Sequence, residues 1–205
     1  YNIKPDSVIA VESQLAIEKS YIGIKNHLQN SLCPNESEKS LVFFADTTSR
    51  PHVADLMENS GSKLCYFTSL FDDNEFLNFL TQNQILPEPV PPLGSVGLAS
   101  VYLALKLRLN QDIPIFVAGL DFSYTFGKTH AKNAASHAAM LLAKNRLKSD
   151  GNYEASFGKN SVTVDRQKKI ASSANLIDYA KNFPLLIDRL NGDVELCTCA
   201  VRSGD

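Results

Sequence analysis

Asp121, Tyr124, Lys128, Thr129 and His130 fall within ten consecutive residues, between the apolar run 115–120 and a segment with helical patterning. A carboxylate where a buried strand runs out suits a ribose hydroxyl, a magnesium ion or a partner side chain. Tyr124 and Lys128, with Thr129 beside them, suit contact with phosphate oxygens. His130 is expected near a helix N-terminus, where the dipole disfavours an imidazolium, and a neutral imidazole there can act as a general base. Each type also has a plain structural use: an Asp after a strand forms turns or caps helices, and a partly exposed His is common. Their crowding into one connection is what raises them above that background. His137 shares the helix face of His130, and a partly exposed histidine outweighs a metal pair there.

A second candidate is Gly94-Ser95. The rigid stretch 87–94, with four prolines, delivers the chain to Ser95, a good N-cap for a helix over about 96–109. Gly94 permits close backbone approach, and the free N–H groups of the first turn suit a phosphate or carboxylate. The same residues read equally well as an ordinary cap. Asp46 and the hydroxyls after it, 47–49, form a third polar strand end, with Thr68-Ser69 as a fourth. No G-K-[ST] follows a glycine loop, no G-x-G-x-x-G follows a strand, and no G-x-S-x-G elbow is present. The four cysteines, Cys33, Cys65, Cys197 and Cys199, lack two pairs at metal spacing, so no metal-ligating set is assigned. Cys65, inside an apolar run, reads as a buried thiol, and the cysteine usage fits a reducing cytoplasm.

The elements that must position these residues alternate in type. Strands are expected over 7–11, 40–45, 63–68 and 115–120, the second apolar enough to be buried on both faces and the fourth the clearest of them, read as a buried strand. Helices are expected over 13–30, from Pro51 through Met57, over 73–82, over 96–109 and over 130–148. The helix over 96–109 is apolar nearly all round and should be buried. This order argues for an α/β, Rossmann-like fold: a mostly parallel sheet with helices on both faces. Ligands of such sheets bind beyond the carboxyl ends of the strands, where the polar residues above are placed. After Asp150 the texture changes. A short strand over 161–164, an amphipathic helix over 173–190 with Pro184 as its expected kink or break, and a last strand over 194–201 form a small extension. The chain is expected to be one domain, with a core over 1–150 and the extension over 151–205.

Composition supports this class. The chain has 205 residues, 44% hydrophobic and 20% charged, so it can bury a core and is not disordered. Its net charge of -2 argues against a nucleic-acid partner. No apolar run reaches transmembrane length and no signal peptide is visible, which places the expectation in the cytoplasm.

Two segments resemble a known family. Gly94-Ser95-Val96 opens an apolar helix; Gly119-Leu120-Asp121-Phe122-Ser123-Tyr124 ends a strand; Gly127-Lys128-Thr129-His130-Ala131 follows. This block is similar to the core of the family shared by bacterial motility accessory factors and archaeal 6-hydroxymethylpterin diphosphokinases. Ser172-Ser173-Ala174-Asn175-Leu176-Ile177-Asp178-Tyr179 resembles the family's T-S-x-x-L-x-x-Y helix start. The resemblance implies a Rossmann-like domain related in fold to bacterial sialyltransferases. It also implies a transferase that binds a nucleotide-activated donor, most simply a CMP-linked nonulosonic acid passed to a protein acceptor such as flagellin. The alternative is diphosphate transfer from ATP to a hydroxymethylpterin, with magnesium held by Asp121 or Asp46. On the first reading His130 and Asp121 are catalytic, and Gly94, Ser95, Tyr124, Lys128, Thr129, Asp46 and Ser173 bind nucleotide or substrate. The family's early G-x-G-P-S loop has no counterpart here. The chain starts at Tyr1, so the loop is expected either upstream in a longer protein or lost, and loss would leave a non-catalytic binding or assembly domain as a third reading.

Overall fold

The computed structural model describes residues 5–21, 40–70, 75–87, 89–125, 130, 134, 142–148, 161–165, 170–190 and 194–196. The chain forms two compact units, Tyr1–Pro92 and Leu93–Asp205.

In the first unit, strands β1 (Ser7–Ala10), β2 (Val42–Asp46), β3 (Lys63–Ser69) and β4 (Pro89–Val90) make one sheet in the order β1-β2-β3-β4. Every pairing is parallel, from Ser7 opposite Val42 to Ser69 opposite Val90. Parallel neighbours require crossovers, and helices supply them: α1 (Glu18–Tyr21), α2 (Pro51–Asn59) and α3 (Glu75–Gln82). This is the α/β class with a helix-flanked parallel sheet that the strand–helix alternation predicts. The apolar run before Asp46 becomes the central strand. Phe43 and Ala45 are fully buried and gather Ala10, Tyr21, Val53 and Met57 into the core. Pro51 occupies the first turn of α2, where its missing N–H costs nothing.

Tyr21 packs edge-on against Phe43, with ring centroids 5.8 Å apart. Burial pushes its phenol above the ordinary value. The folded state therefore resists ionising this group, and the stability it contributes is present below the unfolded phenol's pKa of about 10 and lost as pH rises past it. Tyr21→Phe should flatten the fall in urea midpoint between about pH 9 and pH 11. An unchanged slope would show that Tyr21 ionises as freely folded as unfolded.

Cys65 is exposed, not the buried thiol that its apolar neighbours suggest. The cause lies in the sheet. β4 pairs with β3 only at Thr68 and Ser69, so among the described residues the first half of β3 has no neighbour on that side, and Tyr66 beside Cys65 is 52% exposed. Of the helix expected over 13–30, the described part is a 3-10 turn, Leu15–Ile17, running into α1; the remainder lies outside the described residues, as does Cys33.

The second unit contains α4 (Val96–Leu107) and α5 (Ala174–Arg189), a parallel pair of β5 (Ile115–Val117) and β9 (Val194–Leu196), and an antiparallel sheet in the order β6-β8-β7. These last strands are β6 (Tyr124–Thr125), β7 (Ser161–Asp165) and β8 (Ile170–Ser173). α4 buries Leu98, Ala99, Val101, Tyr102 and Leu105, while Val96 and Leu107 at its ends are exposed. α5 continues past Pro184 to Arg189.

Three expectations are corrected here. The strand over 115–120 stops at Val117, because Gly119 adopts a left-handed φ of 76°. Nor is it the buried strand expected: Phe116 is 61% exposed, and among the described residues β5 pairs with β9 alone, over three residues. The helix over 130–148 is absent at both ends of its range. Residues 130 and 134 are not helical, and 145–148 close a turn in which the Asn145 side chain accepts from the N–H groups of Leu147 and Lys148. An Asx turn of that kind competes with helix continuation. His130 itself lies in a bend and not in a helix, and the residues that follow it, 131–133, lie outside the described residues. His137, Cys197 and Cys199 lie outside the described residues. No helix among the described residues is long and apolar enough to cross a membrane.

Candidate functional site

The entry to α4 is built around a glycine where any side chain would be strained. Gly94 has φ 70°, and a Cβ placed on it would stand 2.5 Å from Cε1 of Tyr179 and 3.1 Å from its hydroxyl oxygen. The close approach expected of Gly94 is thus taken up by the Tyr179 ring from the second turn of α5. Ser95 holds the extended backbone of an N-cap, φ -136° and ψ 134°, and its carbonyl accepts the N–H of Ala99. Its hydroxyl makes no capping hydrogen bond. Ser95 is half-buried, and it and the leading N–H groups of α4 are the groups that the expectation of an anion site names. One turn on, Gly97 leaves room for the Leu120 side chain.

Leu120 leads into Asp121, which is exposed and stands between two left-handed residues, Gly119 at φ 76° and Phe122 at φ 49°. A Cβ on Gly119 would meet nothing within 4 Å, so this glycine serves conformation alone. Phe122 is anchored twice: its carbonyl accepts the Ser172 hydroxyl at 2.9 Å, and its ring lies 6.0 Å from that of Phe183. Tyr124, half-buried, begins β6 opposite Ala171 of β8. Ser173 then caps α5, its hydroxyl oxygen accepting the N–H of Leu176 at 3.4 Å.

The β8–α5 junction is therefore the point through which Gly94, Asp121, Tyr124 and Ser173 are tied together. His130 is exposed and lies in a bend; Lys128 and Thr129 fall outside the described residues. Ser172, Phe122 and Tyr179 are the positions that single-residue reasoning overlooked. The signal was present: the helix-start motif contains both Ser172 and Tyr179, though a left-handed Phe122 has no mark in the sequence. An open groove of about 350 Å³ runs beside α4 and β5, lined by Gly97, Ala104, Phe116 and Leu120. Its hydroxyl, on Ser100, donates to the Val96 carbonyl at 2.8 Å and so offers a ligand little.

Asp46 belongs to the first unit and has a different task. It is 2% exposed. Oδ1 accepts the Thr48 N–H at 2.8 Å and the Thr48 hydroxyl at 2.7 Å, and Oδ2 accepts the Ser69 N–H at 3.0 Å. The Thr47 hydroxyl donates to that of Thr68, 3.1 Å away. Asp46 thus staples the loop after β2 to the end of β3, with its lone pairs engaged by protein donors. That arrangement does not fit a magnesium ligand. Among the described residues no group of three or more His, Cys, Asp or Glu is placed to hold a metal ion, so a magnesium role rests on the single carboxylate of Asp121.

No family model matches the chain. No solved structure matches it either. It is similar to a Treponema pallidum (strain Nichols) protein described only as uncharacterized, at 28% identity over 186 residues, which is 90% of this chain and 30% of that protein. The chain thus spans about a third of the length of the relative it matches.

Proposed function

We propose that the chain is the donor-binding part of a transferase of the motility-accessory-factor type, acting on a CMP-linked nonulosonic acid and a protein hydroxyl such as flagellin's. The observation that supports this reading most is the meeting of the two resembling segments. Ser172 of the helix-start motif holds the Phe122 carbonyl, and Tyr179 of the same motif lies against Gly94. Separate stretches of sequence with separate resemblances contribute to one local structure.

In this reading the leading N–H groups of α4, with Ser95, face the anionic part of the donor. Asp121, presented in solvent at the end of the β5 segment, accepts from donor hydroxyls. Tyr124 donates to phosphate or sugar oxygens, and Lys128 and Thr129 of the adjoining motif would add to that contact. His130 takes the proton of the acceptor hydroxyl as its oxygen bonds to the anomeric carbon. The bond from that carbon to the phosphate oxygen breaks, and CMP leaves with the electron pair. No step is routed through magnesium: Asp46 is engaged elsewhere, and among the described residues no group of three or more His, Cys, Asp or Glu is placed to hold a metal ion.

The test is release of CMP from a CMP-linked nonulosonic acid by the full chain in the presence of a hydroxyl acceptor. His130→Ala should lower the rate by about 100-fold, the usual contribution of a general base, while leaving donor affinity near its starting value. Full activity in His130→Ala would remove the base role. Strict dependence on ATP and magnesium would move the assignment to diphosphate transfer.

A further inference from the structure

Phe122 is the one bulky described residue in the left-handed region beside the candidate site, and L-residues with a branched or aromatic side chain adopt that conformation only when their surroundings enforce it. Here the enforcement is visible. The Ser172 hydroxyl, on a residue only 8% exposed, donates to the Phe122 carbonyl at 2.9 Å. The Phe122 ring packs against buried Phe183. Two residues on, Tyr124 pairs with Ala171, the immediate neighbour of Ser172. Gly119 supplies a second left-handed turn before Asp121 without any steric demand. Asp121 is therefore exposed between two left-handed residues, the second of them held by Ser172 of β8 and Phe183 of α5.

We infer that Ser172 is a positioning residue for Asp121: by fixing the Phe122 carbonyl it sets the strained turn that presents the Asp121 carboxylate to the donor. The inference rests on Asp121 being a donor-site residue. It deepens that reading by assigning specificity to a buried serine that touches no ligand. A hydroxyl placed only for stability would give a different pattern when removed, because its loss would be felt across the unit rather than at the turn.

The experiment compares the full chain with Ser172→Ala and Ser172→Thr by two measurements. One is hydrogen exchange across 119–125, and the other is calorimetric titration with CMP. Ser172→Ala should speed exchange at 121–124 by at least about tenfold, with β2 unchanged, and weaken CMP by about tenfold. Ser172→Thr, which keeps the hydroxyl, should restore both. Should alanine prevent folding, Ser172→Cys, nearly isosteric with a weaker donor, replaces it with the same expected direction. Unchanged exchange at 121–124 overturns the inference, and so does faster exchange with CMP affinity intact. If the unsubstituted chain binds no CMP but exchange responds as expected, the turn-holding role of Ser172 is supported and only the donor reading fails.

Discussion

Gly94→Ala should destabilise the chain by about 2–5 kcal/mol, combining the cost of a left-handed alanine with that of overpacking. At φ 70° the first cost is about 1–2 kcal/mol for any L-residue. The second arises because the new methyl would stand 2.5 Å from Cε1 of Tyr179, so the ring or the start of α4 must shift, at about 1–3 kcal/mol. Urea denaturation of Gly94→Ala, Tyr179→Ala and the double variant separates the two. Removing the ring should recover the steric part, so the two substitutions should be clearly non-additive. Gly119→Ala is the internal control. It shares the left-handed φ but meets nothing within 4 Å, so its cost should be the conformational part alone, about 1–2 kcal/mol. A neutral Gly94→Ala, or strict additivity with Tyr179→Ala, would show that the glycine and the tyrosine are not packed as described.

Asp46→Ala should be of similar size, about 2–4 kcal/mol, because it strips the acceptor from several donors at once in a buried place. The N–H of Ser69 and the N–H of Thr48 both end on its carboxylate, along with the Thr48 hydroxyl. Each buried donor left without a partner costs about 1–3 kcal/mol, and the exposed Thr48 recovers part of its share from water. Asp46→Asn should cost less than alanine but remain destabilising, since its amide keeps one acceptor and turns a donor toward a donor. Chemical denaturation gives the stability, and nucleotide titration of Asp46→Asn under folded conditions separates the staple from a ligand role. Unaltered affinity with lowered stability is the expected pair. Lost affinity with unaltered stability would return Asp46 to the binding residues.

These two residues illustrate how much the sequence carried. The run 41–45 announced a strand buried on both faces because five successive apolar side chains have no solvent face to occupy, and Phe43 and Ala45 are fully buried. Ser95 and Ser173 announced the starts of α4 and α5, and both helices begin at the next residue. Exposure was harder to read. Cys65 looked buried because its neighbours are apolar, yet the length of β4, two residues, decides whether that part of β3 is covered. The antiparallel strands β6 and β8 left no signal, since a two-residue strand has no alternation to detect and Ile170-Ala171 reads as easily into a helix.

For the site, residue types were legible and their tasks were not. A polar Asp at the end of a buried strand was visible at both 46 and 121. The first is turned inward as a staple and the second outward into solvent, and only hydrogen-bond geometry distinguishes them. Gly94 was read as room for a ligand, where Tyr179 occupies that room. The left-handed Phe122 is a tertiary effect, imposed by Ser172 from fifty residues away.

A cytidine nucleotide is proposed to bind at the Gly94–Asp121–Ser172 region. The decisive measurement is calorimetric titration of the full chain with CMP, CDP and ATP, each with and without magnesium. Binding of CMP and CDP should be saturable, indifferent to magnesium and weakened by at least about tenfold in Asp121→Asn, the loss of one charged hydrogen bond. Binding of ATP alone, and only with magnesium, would contradict it in favour of diphosphate transfer. Heat of binding from none of the three would contradict a nucleotide role for this chain altogether.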